Sequence, residues 1–287
     1  MEVAKDVVAH GKVVIGQCLD WFHAATFPVQ VAVGTAGFLA ASYGLYCVWF
    51  YGGTRRVKSR VSLKGKTVII TGANAGIGRE TAVDLASRGA RVIMGCRNAI
   101  KAQAALAEVR KRSNNNDVIF KQVDVSDLKS VRNFAEEILR EEERLDILIN
   151  NAGIKGFEFY SRSKLANVHF AKELACRLEG TGVTAYSLHP GSIYSSIWGS
   201  SLESSGRKFL YYLFLPIFMF FFLGEKDGAQ TTIYCAVDES ITHLSGGYFA
   251  NCSLAKESKL AKDEQMAKQL WDVSCEATGI NPNVLTV

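Results

Sequence analysis

The pattern of apolar and polar positions separates an uncharged N-terminal stretch from a long alternation of predicted strands and helices. No Asp, Glu, Lys or Arg occurs between Trp21 and Thr54. Beyond this stretch, short apolar runs predict strands at 67–71, 91–95, 117–122, 145–150 and 183–188. Helical periodicity predicts helices at 79–88, 128–143, 157–179 and 263–278. Strands that alternate with helices predict an α/β fold with a parallel sheet and right-handed crossovers.

Composition excludes several other classes of protein. The chain has 287 residues, of which 48% are hydrophobic and 21% charged, so one packed domain with an appendage is expected. Seven cysteines form no Cys-x-x-Cys pair and five histidines show no metal-ligand spacing, which predicts a reducing compartment and no metal site. The net charge of +5 comes without an aromatic and basic motif, so no nucleic-acid partner is predicted.

The uncharged stretch predicts a transmembrane anchor at residues 27–51. A helix needs about 20 apolar residues to cross a bilayer, and aromatic residues gather at the C-terminal end of this run, as in an interfacial belt. A basic block without an acid follows it: Arg55, Arg56, Lys58, Arg60, Lys64 and Lys66. The positive-inside rule then places the body of the protein in the cytosol. A cleaved signal peptide and a buried core helix are the alternatives.

The predicted organisation is therefore an N-terminal lead at 1–26, the anchor, a basic linker at 52–66 and a nucleotide-binding domain at 67–287. A second apolar stretch, within 204–224, is too short for a span, because 15 uncharged residues make a helix of about 22 Å. Pro216 would also kink that helix. We expect a segment that lies on the membrane or covers the substrate; a core helix and a second span are the alternatives.

A glycine turn follows the first predicted strand. Gly72, Gly76 and Gly78 stand between that strand and the first helix, where backbone must turn tightly and approach a pyrophosphate. The helix N-terminus then offers N–H donors and the positive end of its dipole to the phosphates. The pattern predicts a dinucleotide site; a purely structural glycine turn is the alternative.

The end of the second predicted strand favours NADP(H) over NAD(H). NAD sites carry an acid there for the ribose 2′-hydroxyl, whereas this chain has Cys96 and Arg97. Arg79, directly after Gly78, supplies a second guanidinium group. Two such groups suit a 2′-phosphate through charge-assisted hydrogen bonds, although either could simply be solvated.

Several further motifs follow the glycine turn in a fixed order. They are Asp124-Val125, Asn150-Asn151-Ala152-Gly153, Tyr160-x3-Lys164, Pro190-Gly191 and Gly228-Ala-Gln-Thr231-x2-Tyr234-x-Ala236. Over residues 60–280, with one gap, the chain resembles the short-chain dehydrogenase/reductase superfamily. More specifically, it is similar to the membrane-anchored retinol dehydrogenase group. The resemblance implies a Rossmann-type doubly wound parallel sheet and an NADP(H)-dependent oxidoreductase that interconverts a lipophilic, retinol-like alcohol and its aldehyde or ketone.

The resemblance also implies roles for individual residues. Tyr160 would be the catalytic acid and base, and Lys164, one helical turn later, would lower the pKa of the tyrosine and hold the nicotinamide ribose. Ser195 stands where the family usually has a threonine near the carboxamide. The predicted cofactor contacts are Thr71, Gly72, Asn74, Gly76, Ile77, Gly78, Arg79, Arg97, Asp124, Val125, Asn151, Ala152, Gly153, Tyr160, Lys164, Pro190, Gly191 and Ser195.

One spacing departs from the family. Only seven positions separate Gly153 from Tyr160, where the family has a helix, a strand and a catalytic serine. A complete βαβ unit is nevertheless expected from residues 145–150, 157–179 and 183–188. If its two strands did not come together in the sheet, backbone N–H and C=O groups at their edges would lack hydrogen-bond partners. A catalytically impaired, nucleotide-binding variant is therefore the alternative function.

Partners and location also follow from the resemblance. A retinoid-like small molecule dissolved in the membrane is the implied substrate, and membrane lipid is a partner. The implied location is the endoplasmic reticulum with the body facing the cytosol; a mitochondrial membrane is the alternative. The sequence leaves the oligomeric state open.

Overall fold

The computed structural model describes residues 26–53, 55–153, 157–191, 193 and 223–283. Outside these residues lie 1–25 of the predicted lead (1–26), Ser195 and nearly all of the 204–224 stretch. The chain divides into two compact units, one up to Thr54 and one from Arg55 onward.

The first unit contains one described helix, α1 (Phe27–Gly52), which has 26 residues and no charged side chain. Within the described part of the chain, no helix is both long and apolar enough to cross a membrane. The predicted span at 27–51 is therefore helical but is not confirmed as a membrane span.

The second unit alternates strands and helices, as the sequence pattern predicts. Its elements are β1 (Thr67–Thr71), α2 (Gly76–Ser87), β2 (Arg91–Cys96), α3 (Ala99–Ser113), β3 (Val118–Gln122), α4 (Leu128–Glu141), β4 (Ile147–Ile149), α5 (Phe157–Arg177), β5 (Ser187–His189), α6 (Glu225–Val237), β6 (Tyr248–Ala250), β7 (Ser253–Leu254) and α7 (Glu264–Thr278). Side chains fix several helix starts, because Asn98, Asp127 and Asp263 accept hydrogen bonds from backbone N–H groups in the first turns of α3, α4 and α7.

Four parallel strands form the main sheet, in the order β3-β2-β1-β4. One face is packed by α2, α3 and α6, and Val68 and Met94 on that face are fully buried. On the opposite face, Ile69 and Ile93 pack against Ile138 of α4. A parallel sheet whose two faces are covered by helices is the architecture of doubly wound folds, so the predicted α/β class is confirmed.

The predicted βαβ unit between β4 and β5 is wrong. β5 pairs with β6 in a second sheet, β5-β6-β7, whereas β4 pairs with β1. The connecting helix α5 packs against α7, where the rings of Phe170 and Trp271 stack with centroids 5.5 Å apart. β5 thus has its hydrogen-bonding partner in β6, and α5 is packed against α7. In the part of the chain that the structure describes, neither element packs against the outer edge of β4.

The separation leaves apolar surface at β4 exposed. Leu148 is paired in register with Ile69, so both side chains lie on the same face of the sheet. Ile69 is 2% exposed, whereas Leu148 is 54% exposed. The sheet is therefore well packed at its centre and open beside β4.

This difference predicts unequal costs for equivalent truncations. Leu148→Ala should change the free energy of unfolding by less than about 1 kcal/mol, because half of the side chain is already in water. Ile69→Ala, at the partner position, should cost about 2–5 kcal/mol, because it leaves a cavity in packed surroundings. Denaturant unfolding of both variants measures the difference. Equal costs would mean that the outer side of β4 is covered.

Candidate active site

The glycine turn between β1 and α2 requires the absence of side chains. Gly72 has φ +70° and Gly76 has φ +61°, conformations that L side chains rarely adopt. A Cβ on Gly78 would lie 2.5 Å from Nδ2 of Asn151 and 2.6 Å from the carbonyl oxygen of Gly72. Any larger residue would push α2 away from the end of β1, so close approach explains the third glycine.

The end of β4 is bonded to this turn. The Asn151 amide donates to the carbonyl oxygens of Thr71 at 3.0 Å and Gly72 at 3.3 Å. The backbone N–H of Ala152 donates to the Thr71 hydroxyl at 3.1 Å. Two motifs that stand about eighty residues apart in the sequence therefore form one structural unit, and they lie at the carboxyl ends of neighbouring parallel strands, where α/β folds bind ligands.

The start of α2 fits a bound pyrophosphate. Its N-cap residue, Ala75, makes no side-chain hydrogen bond to the helix, and the first turn contains no acidic residue. The first N–H groups of a helix have no partner within it, and anions satisfy them favourably. Asn74 and Ile77 are half-buried in this turn. The donor set thus suits the phosphates of a dinucleotide.

The end of β2 presents an exposed cation. The Arg97 side chain is 65% exposed, and its Nη1 lies 3.9 Å from Oδ2 of Asp124, after β3. Asp124 accepts hydrogen bonds from the backbone N–H and the hydroxyl of Ser126, which lower the pKa of its carboxyl, and the charge of Arg97 adds to this effect. Val125, beside them, is also exposed. Arg97 is therefore available to an anion that binds at this edge.

Arg79 is placed differently from Arg97. Its Nη1 lies 2.9 Å from Oε2 of Glu108 on α3, and its Nη2 lies 3.3 Å from Oε2 of Glu225 on α6. The position of Arg79 after the glycine turn singles it out in the sequence, whereas neither acid was predicted. Their distances along the chain, 29 and 146 residues, leave no local signal that could have found them.

The predicted catalytic pair belongs to the part of the domain built around the second sheet. Tyr160 and Lys164 lie one helical turn apart on α5, and the side chain of Tyr160 is outside the described side chains. Lys164 is half-buried, and burial lowers the pKa of its amine. Pro190 and Gly191 follow β5, where Gly191 has φ +90° and donates its N–H to Nδ1 of His189. The carboxyl end of the main sheet brings together Thr71, Gly72, Gly78, Asn151 and Ala152. The helix α5, in contrast, packs against α7 and β5.

Known proteins are similar to this chain in sequence and in fold. A short chain dehydrogenase family model matches residues 66–160. Human retinol dehydrogenase 12 is 38% identical over 298 aligned positions, which cover 81% of this chain and 92% of that protein. The chain belongs to the short-chain dehydrogenase/reductase superfamily, in its retinol dehydrogenase group. Human dehydrogenase/reductase SDR family member 13 is 34% identical, over 77% of this chain and 75% of that protein.

A solved structure gives the same picture of the fold. L-sorbose reductase from Gluconobacter frateurii, complexed with NADPH and L-sorbose, superposes with a TM-score of 0.58 at 18% identity. The superposition covers 70% of this chain and 100% of that one. The sequence relatives therefore confirm the predicted superfamily, and the solved structure confirms the predicted α/β fold.

The aligned region of human retinol dehydrogenase 12 contains positions that this chain lacks. The alignment has 298 positions, whereas 81% of 287 residues is about 232. About 66 positions of the alignment, the difference between 298 and 232, therefore have no residue of this chain opposite them. This chain lacks sequence that its relative has.

Proposed function

We propose that this chain is an NADP(H)-dependent oxidoreductase of retinol dehydrogenase type. Its substrate would be a lipophilic, retinol-like alcohol or the corresponding aldehyde or ketone. The observation that carries the proposal is the junction of the glycine turn with Asn151 beside the uncapped start of α2. Family membership supports a nicotinamide cofactor, and the similarity to retinol dehydrogenases supports the substrate class.

The end of β2 supports NADP(H) as the cofactor. The strand ends in Cys96 and is followed by Arg97, so no carboxylate stands where NAD-dependent enzymes bind the ribose 2′-hydroxyl. The neighbouring Asp124 carboxylate already accepts two hydrogen bonds from Ser126. An exposed guanidinium group at this position favours a 2′-phosphate.

The residues of the chain would position the cofactor and move one proton. A bound nicotinamide supplies hydride transfer. The glycine turn would hold the pyrophosphate, and Arg97 would bind the 2′-phosphate. Tyr160 would exchange a proton with the substrate oxygen, and the nearby cation of Lys164 would favour the ionised phenol. Gly153, Pro190, Gly191 and Ser195 remain proposed cofactor contacts.

A second candidate function is a nucleotide-binding variant with impaired catalysis. The separation of β4 from β5 favours it, because the strands that flank the short Gly153–Tyr160 interval lie in different sheets. We infer that most of the unmatched 66 positions fall in this interval. The binding half of the site would then be complete, while the block that shapes the substrate half would be absent.

Replacement of Arg97 tests the choice of cofactor. Arg97→Ala should weaken NADPH binding by about 1.5–3 kcal/mol, because one charge-assisted hydrogen bond is lost, and should leave NADH binding nearly unchanged. Titration of the purified protein with each dinucleotide gives the two affinities, and Lys101→Ala, an exposed cation on α3, is the matched control. Equal affinity of the unaltered protein for NADPH and NADH would refute the proposed cofactor.

Restoring the absent block tests the second candidate. The segment of human retinol dehydrogenase 12 that aligns with the gap, inserted after Gly153, should raise retinal reduction with NADPH by at least about 10²-fold, because a preorganised donor is regained. A Gly/Ser insert of equal length is the control. Equal turnover of the unaltered chain and the restored chain would show that no impairment exists.

We also propose that α1 and the basic block hold the chain at a membrane, with its body in the cytosol. The uncharged 26-residue helix and the six cations that follow without an acid support this location. Protease added to intact microsomes should digest the body, and Asn251, in an Asn-Cys-Ser sequon, should carry no glycan. A protected, glycosylated body would contradict the cytosolic orientation.

A further inference from the structure

The two guanidinium groups predicted to bind the 2′-phosphate have unequal surroundings. Arg97 is largely exposed and 3.9 Å from its nearest acid, whereas both terminal nitrogens of Arg79 are held by carboxylates. The Arg79 side chain is 27% exposed, so these ion pairs are only partly screened by water. A phosphate that binds Arg79 would therefore share its guanidinium group with Glu108 and Glu225, whose charges already offset that of the arginine.

Glu108 is shared between two arginines. Its carboxylate binds Arg79 through one oxygen and Arg112 through the other, at 2.9 and 3.1 Å. Arg112 also binds both oxygens of Glu80, at 2.7 and 2.6 Å, and these hydrogen bonds lower the pKa of the Glu80 carboxyl. Glu108 therefore belongs to a network that holds α2 against α3 whether or not Arg79 is engaged.

Unlike Glu108, Glu225 is not shared between two arginines in the described residues, and it lies outside the network that holds α2 against α3. Among the described residues its ion pair is with Arg79, at 3.3 Å. Its other oxygen, Oε1, lies 3.8 Å from the position of a Cβ built on Gly76. Gly76 opens α2, so this carboxylate stands beside the uncapped helix N-terminus that fits the pyrophosphate.

We propose that Glu225 determines cofactor selectivity by restraining Arg79. The inference rests on the proposed dinucleotide site. The Glu225 carboxylate competes with the 2′-phosphate of NADPH for the Arg79 guanidinium, and it repels the pyrophosphate that NADPH and NADH share. Removal of its charge therefore favours both dinucleotides but favours NADPH more, because only NADPH carries the phosphate that the released Arg79 can bind.

The experiment compares two neutralised acids on the same helix. Glu225→Gln should tighten NADPH binding about tenfold, as expected for one charged hydrogen bond, and NADH binding by a smaller factor. Asp227→Asn is the matched control, because Asp227 pairs with Arg56, whose side chain is 69% exposed. This variant should leave both affinities within about twofold, because Asp227 pairs with Arg56 and not with Arg79.

A double-mutant cycle assigns the effect to Arg79. In an Arg79→Met background, Glu225→Gln should no longer change the ratio of NADPH to NADH affinity, because the residue through which it acts is gone. Thermal unfolding of each variant verifies that the fold is retained.

Several outcomes would overturn the inference. Weaker NADPH binding by Glu225→Gln would show that Glu225 positions Arg79 for the phosphate. Equal tightening of both dinucleotides, or an equal effect of Asp227→Asn, would show that selectivity does not act through this pair. The proposed function fails separately, if the unaltered protein binds neither dinucleotide or does not prefer NADPH.

Discussion

The close contact between α2 and the end of β4 is the constraint on which the rest of the site depends. Gly78 brings the first turn of α2 against Asn151, and the Asn151 amide bridges the carbonyl oxygens of Thr71 and Gly72. This contact fixes where α2 begins and which strand ends surround it. Because the helix start carries no side-chain cap, the same geometry that packs the sheet leaves its first N–H groups without a side-chain acceptor, and such groups bind anions favourably.

Ion pairs distinguish the two arginines that lie near the start of α2. Arg79 is tied to α3 and α6 by ion pairs, whereas Arg97 is exposed at the end of β2. Both were expected to bind the same phosphate, since the sequence shows only their positions relative to the glycine turn. The acids that distinguish them come from helices that meet α2 only in the folded domain. A residue type in the expected place therefore does not determine whether its charge is available.

The second sheet shows how a local pattern can be correct while its assembly is not. The apolar run that predicted a strand at 183–188 does yield β5, shortened to Ser187–His189. That strand pairs with β6 instead of joining the main sheet, and Leu148 on β4 stays half in water. Strand pairing depends on which neighbour can approach, and here α5 is already packed against α7. The proposed dinucleotide site and α5, which carries the proposed catalytic pair, are thereby associated with different sheets.

The sequence by itself determined the elements whose signal is local. Apolar runs located β1 over its full length and β2 to within one residue, and the glycine turn with its motifs indicated the family that the comparisons confirm. Helix α3 was not predicted, although the residues that it buries, Ala102, Ala105, Leu106 and Val109, follow the helical spacing i, i+3, i+4 and i+7. Only the tertiary structure decided the two sheets and the pairing of Arg79 with Glu225, because these depend on contacts between residues far apart in the chain.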